Sequence, residues 1–139
     1  MITRSFRESR VLADSAILCA FPQGSISIEA TMELLNAASG FDWSKEDLHA
    51  IAERASNIER AFNVREGLRK DWDTLPGRLL KEGAKSGSTV GQVVELDELI
   101  DDFYKLCGWD LKTGIPALDT LQKLGLHGIA KDMEMYAER

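Results

Sequence analysis

SKEDLHAIAERASNIERAF, residues 44–62, decides the fold class. Ser44 stands where a helix N-cap belongs. Asp47, three residues on, is placed to return a bond to the cap, in a position that Glu or Gln usually fills. Leu48, Ile51, Ala52, Ala55, Ile58 and Phe62 then recur at spacings of three and four, one apolar stripe at the helical period. Glu53, Arg54, Glu59, Arg60, Arg65 and Glu66 flank that stripe as a solvated or partner-facing surface. The spacing predicts an amphipathic helix.

Outward from this segment the punctuation continues in the same manner. A first helix is expected from about Ser5 to Phe21, stopping before Pro22 and Gly24. Ser27 caps a second, with Glu29 in its first turn and Gly40 at its end. Downstream, Gly67 lies near the end of the third helix, and Leu75-Pro76-Gly77 breaks the chain again. Gly83 to Gly91, with Ser86, Ser88 and Thr89, reads as a mobile loop and lacks the spacing of a phosphate loop. A helix from about Leu96 to Leu106 opens with Asp97, Glu98, Asp101 and Asp102, which suits the positive end of its dipole. The same acidic run lacks a calcium-loop pattern and is read as a solvated face. Pro116 and Ala117 open a short helix, Leu124-Gly125-Leu126 ends it, and an amphipathic stretch closes the chain. Alternating β-branched runs are nearly absent, so the expectation is an all-α, multi-helix domain over residues 1–139.

Composition narrows the function classes. Of 139 residues, 44% are hydrophobic and 29% charged, ordinary for a globular chain with one core. A net charge of −6 argues against nucleic acid, whose phosphates need Lys and Arg. No apolar run is long enough to cross a bilayer. Asp14 and Ser15 interrupt the only stretch that mimics a signal peptide, so a cytoplasmic protein is expected. The two cysteines, Cys19 and Cys107, form no CxxC pair and by themselves read as small buried hydrophobes. His49 and His127 have no Cys or carboxylate at a metal-ligand spacing, and no Gly-x-Ser-x-Gly elbow occurs. On these grounds the residues define a soluble helical domain and no chemistry.

Two stretches extend that reading. AFNVREGLRKDWDTLPGRLL (61–80) and VVELDELIDDFYKLCGWDLKTGIPALDTLQKLGL (93–126) carry an ordered pattern. It runs through Asn63, Arg65-Glu66-Gly67, Asp73, Leu75-Pro76, Arg78, Leu96-Asp97, Tyr104, Gly108-Trp109-Asp110, Gly114, Pro116 and Leu124-Gly125-Leu126. Together these resemble the C-terminal end of the aldehyde:ferredoxin oxidoreductase family. Glycine and proline there set backbone geometry, Trp109 is a large anchor, and Arg65 and Arg78 can fork onto carboxylates, so a structural role is expected.

A further stretch, separate from these two, is Asp14-Ser15-Ala16-Ile17-Leu18-Cys19. It resembles the family's Asp-x-x-Gly-Leu-Cys pattern, with Ile17 in place of the glycine. The resemblance implies that Cys19 is the last ligand of a four-iron, four-sulfur cluster and that Asp14 and Leu18 touch the pterin carrying the tungsten. A soft thiolate suits iron–sulfur ligation, and a carboxylate accepts hydrogen bonds from pterin N–H groups. With a helix running to Phe21, Asp14 and Leu18 would share a face. Cys19 would project from an adjacent one, about 140° around the axis from Asp14. Separated from its parent, this helix is expected to expose Val11, Ile17 and Leu18 and to self-associate.

By this resemblance the chain is the C-terminal piece of a tungsten (or molybdenum) bis-pterin enzyme that oxidises aldehydes and passes electrons to ferredoxin. A branch reducing aromatic acyl-thioesters shares the architecture, and a non-enzymatic helical module is the competing class. No catalytic residue is assigned to the chain. A cubane cluster takes four thiolates, so neither cluster nor tungsten is expected on this chain alone. The other ligands would come from upstream cofactor-binding domains, of which this is either an excised portion or a separately encoded partner.

Overall fold

The computed structural model describes residues 2–19 and 21–137. Seven α-helices occur among them: α1 (Ile2–Ser15), α2 (Ile28–Ser39), α3 (Lys45–Arg65), α4 (Gly77–Lys81), α5 (Leu96–Cys107), α6 (Leu118–Lys123) and α7 (His127–Ala137). Short 3-10 turns fall at Phe21–Ser25 and Lys70–Trp72. The described residues contain no strand, only two isolated bridges, Ala84 with Val90 and Trp109 with Pro116. The all-α expectation is borne out.

Where caps are written locally, the helices begin and end as expected. Ser27 Oγ accepts from Ala30 N at 3.2 Å, and Gly40 ends α2 in the left-handed region at φ 75°. The capping box of α3 is complete. Asp47 N donates to Ser44 Oγ at 3.2 Å, and Ser44 N donates to Asp47 Oδ2 at 2.8 Å. Gly108 closes α5 at φ 68°.

At 21 residues, α3 is the axis of the molecule, and its buried line differs from the expected stripe. Ile58 and Phe62 are exposed. The buried positions instead follow steps of four through Leu48, Ala52, Ser56, Arg60 and Val64, with Asn57 and Ala61 beside them. Steps of four advance the face by about 40° each, so a long helix turns its buried side toward successive neighbours. At its N-terminal end Leu48 and Ala52 pack with Val11 and Leu12 of α1, and with Met32 and Leu35 of α2. At the other end Ala61 and Val64 pack with Ile115, Leu121 of α6, and Ala130 and Met133 of α7. Each fully buried Leu or Val here contributes about 1.5–3 kcal/mol. Between the two apolar cores lies a polar belt.

Gly83–Gly91, expected as a loop, folds back on itself. Gly91 N donates to Ala84 O at 3.0 Å and Ala84 N to Gln92 O at 3.1 Å. Gly83 has to be small, because a Cβ there would lie 2.8 Å from Gly91 Cα. No helix among the described residues is long and apolar enough to cross a membrane.

Candidate functional site

The end of α1 organises the Asp14–Cys19 stretch. Leu18 N donates to Ala13 O at 2.8 Å, and Ile17 N to Asp14 O at 3.3 Å. This bond pair is the Schellman motif, which needs a left-handed residue at its centre. That residue is Ile17, at φ 57°, the only positive-φ residue other than glycine among those described. So the helix stops at Ser15, six residues short of the expected Phe21, and Cys19 lies beyond it in irregular chain. The angular relation expected for a continuous helix does not apply. Ile17 occupies the position where the resemblance calls for glycine, and it holds the backbone conformation that glycine would adopt most easily.

Beyond the turn the chain leaves its apolar side chains uncovered. Ile17 is 93% exposed and Phe21 98%, with Leu18 partly exposed. Val11, expected on this surface, is instead buried against α3, because it sits before the turn on the face that α1 packs. Cys19 is an exposed free thiol. With Ala13, Leu18, Pro22 and Ile26 it lines a cleft of about 80 Å³ between α1 and α2. The Asp14 carboxylate is exposed on the last turn of α1, accepting from Arg10 Nε at 3.0 Å. This donor set fits one edge of an iron–sulfur and pterin site: an accessible soft ligand, an accessible acceptor and an apolar shoulder. It does not make a complete one, since the chain has one other cysteine, Cys107 on α5. Among the described residues no group of three or more His, Cys, Asp or Glu side chains is arranged to hold a metal ion.

The polar belt is the feature that periodicity missed. Arg60, on α3, is 5% exposed and spends its whole fork inside the protein. Nε donates to Gly114 O at 2.8 Å, Nη1 to Asp73 Oδ1 at 3.0 Å and Nη2 to Tyr104 Oη at 3.0 Å. Tyr104 Oη in turn donates to Asp73 Oδ2. Burial works to raise the Asp73 carboxyl, but hydrogen bonds from Arg60 and Tyr104 and the Arg60 charge hold it below the usual range. Burial, then the bond to Asp73, pushes the Tyr104 phenol above its usual range. Trp109 lies under the guanidinium, 4.7 Å from ring centroid to Arg60 Cζ, and its Nε1 donates to Asn57 Oδ1 at 2.9 Å. Gly114 has to be glycine, because a Cβ would fall 2.2 Å from Arg60 Nη2. Asp73, Tyr104, Trp109 and Gly114, expected to be structural, therefore meet at one point. Arg65 and Arg78 do not. Arg65 pairs with its neighbour Glu66 at the surface and lies 5.0 Å from the centroid of the exposed Phe62 ring, and Arg78 makes no ion pair among the described residues. The organising arginine is Arg60, and its one sequence signal was a charged residue on the i+4 line from Leu48 to Val64.

The same arrangement of helices is found in solved structures. It matches a chain of the "Active site complex BamBC of Benzoyl Coenzyme A reductase in complex with 1,5 Dienoyl-CoA", with a TM-score of 0.79 and 24% identity. The match covers 99% of this chain and 20% of that one. The likeness is one of fold, to a helical part that makes up about a fifth of a longer chain. Over residues 1–126 the sequence matches the family described as "Aldehyde ferredoxin oxidoreductase, domains 2 & 3". The chain belongs to the aldehyde ferredoxin oxidoreductase family. It is 42% identical over 122 residues to the tungsten-containing aldehyde ferredoxin oxidoreductase of Pyrococcus abyssi, and 41% identical over 123 to that of Pyrococcus furiosus. The enzyme of the same description from Thermococcus kodakarensis is 40% identical over 123 residues. Each match takes in 87% of this chain and 20% of the relative, so the chain spans about a fifth of their length.

Proposed function

We propose that this chain is the C-terminal helical part of a cytoplasmic tungsten-pterin, iron–sulfur oxidoreductase that converts aldehydes to carboxylic acids with ferredoxin as acceptor. The observation that carries the reading is the turn after α1. It has a family pattern in sequence, a glycine-like conformation at Ile17, and an accessible thiol two residues beyond. The tungsten-pterin group, when bound, supplies the carbon oxidation and the route for electrons.

The chain's own residues do the holding. Cys19 would give one thiolate to the cluster. Asp14 would accept hydrogen bonds from pterin N–H groups, and Leu18 would pack against the ring. The exposed Ile17 and Phe21 would meet the upstream cofactor-binding domains, which would supply the other ligands. About 40% identity to tungsten-containing aldehyde enzymes supports this reading over the thioester-reducing branch. The likeness to the benzoyl coenzyme A reductase complex is one of fold.

Anaerobic reconstitution with iron and sulfide tests the division of labour. The 139-residue chain should hold well under one iron per molecule and oxidise no aldehyde. The intact enzyme carrying it should hold about four irons per cluster. Four irons on the isolated chain, with the matching charge-transfer absorbance, would overturn the proposal.

A further inference from the structure

Ile17 is a residue whose place in the chain its own fold does not explain. It is held at φ 57°, where an L-residue carries steric strain that glycine avoids. Its side chain is 93% exposed and belongs to neither apolar core, so no packing within the chain offsets that strain. Phe21, 98% exposed, is the least covered large hydrophobic side chain among the described residues. These two stand two residues before and two residues after Cys19, itself an exposed thiol. Residues 15 to 28 carry no Asp, Glu, Lys, Arg or His, in a chain where charged residues make up 29%. The carboxylates at either edge of that stretch are already paired, Asp14 with Arg10 at 3.0 Å and Glu29 with Lys45 at 2.5 Å. The thiol therefore has apolar neighbours on both sides and no uncompensated charge near it in sequence.

A protein tunes an iron–sulfur cluster through nearby charge, hydrogen bonds to the sulfurs and solvent exposure. Around Cys19 the first is balanced. The second is reduced, because Leu18 N is committed to Ala13 O at 2.8 Å and Ile17 N to Asp14 O at 3.3 Å. Solvent exposure is the lever that Ile17 and Phe21 can work. Reduction by one electron adds negative charge to a group already held by four thiolates, and apolar surroundings disfavour the added charge. Apolar cover beside the thiolate therefore lowers the reduction potential, and water admitted there raises it.

We propose that Ile17 and Phe21 form an apolar collar that keeps water from the Cys19 thiolate and holds the cluster's reduction potential low. The inference rests on the reading of Cys19 as a cluster ligand given above. Both are positioning residues, acting on the cluster through its surroundings and on no substrate. A redox titration of the intact enzyme, followed by electron paramagnetic resonance, tests it on Ile17→Gly, Phe21→Ala and the two combined. Each single variant should raise the midpoint. The combined variant should raise the reduced-to-oxidised ratio at a fixed potential about tenfold, a shift of about 59 mV for one electron. Ile17→Leu keeps an apolar side chain and should hold the midpoint at the parent value. In D2O the reduced cluster of the combined variant should show stronger deuterium modulation of its spin echo than the parent. Iron content should stay at the parent level, since glycine is what the family pattern carries at position 17. An unchanged or lowered midpoint in the combined variant at full iron content would overturn the proposal. So would loss of iron from Ile17→Gly, or an Ile17→Leu shift equal to that of Ile17→Gly. Cys19→Ala separates the two readings. If it removes the cluster while the combined variant keeps the parent midpoint, the collar alone falls; if the cluster survives it, the ligand reading falls and the collar with it.

Discussion

Arg60 is a single side chain whose partners lie 13, 44 and 54 residues away in sequence. Removing it leaves Gly114 O, Tyr104 Oη and the Asp73 carboxylate without the donor they were folded around. Arg60→Ala should therefore destabilise the chain by about 3–5 kcal/mol in urea unfolding. Arg60→Lys should recover only part of this, since a point charge cannot serve three acceptors in a fork. The network also sets a pH response. A carboxyl held below its unfolded pKa, about 3.9 for Asp, stabilises the fold above that value. The contribution is lost as pH falls through the lowered pKa. Asp73→Asn should flatten the loss of stability as pH falls below about 4, the unfolded Asp value, relative to the parent sequence, seen as a smaller shift in unfolding midpoint. A parallel decline in the variant would remove Asp73 from the account. Asp73, Tyr104, Trp109 and Gly114 were legible as structural residues, but Arg60 was not: an arginine among glutamates on a helix gives no local sign that its partners are distant.

At the scale of elements, what could be read depended on where the information lies. Ser27, Gly40 and Ser44 encode both limits of α2 and the start of α3 in the residue beside each boundary, and those limits stood in the sequence. The end of α1 did not, because its left-handed position carries isoleucine where glycine would have signalled a stop. Ile17 is almost wholly exposed, so a substitution there removes strain without removing packing. Left-handed backbone costs an L-residue about 1–2 kcal/mol, and glycine returns about half of that as unfolded-state entropy. Ile17→Gly should accordingly raise stability by about 0.5–1 kcal/mol in chemical unfolding; a loss of stability would mean that the turn is not held as described. The apolar strip after that turn has a second consequence. Ile17 and Phe21 together present a patch of the kind that drives association. Sedimentation velocity should show self-association of the chain that the double variant Ile17→Glu, Phe21→Glu abolishes. A strict monomer at high concentration, unchanged by the substitutions, would count against it.

As a whole molecule, the chain is two apolar cores on one long helix, joined by a polar belt and finished at one end by an exposed cysteine. It spans about a fifth of the length of the enzymes it is related to, and on the proposed reading Asp14, Leu18 and Cys19 work together with parts of those enzymes that the chain does not span. Family membership was legible from spaced glycines, prolines and aromatics, because these fix turns that the fold cannot do without. The proposed roles of Asp14, Leu18 and Cys19 rest on a family pattern and on accessibility, and the intact enzyme is where they are tested. Cys19→Ala there is the most direct measurement, with iron content and the electron paramagnetic resonance of the reduced cluster as readouts. The account predicts that the cluster is lost or converted, while the substitution costs the isolated chain no more than about 1 kcal/mol of stability. A full four-iron signal and normal electron transfer in the variant would contradict it.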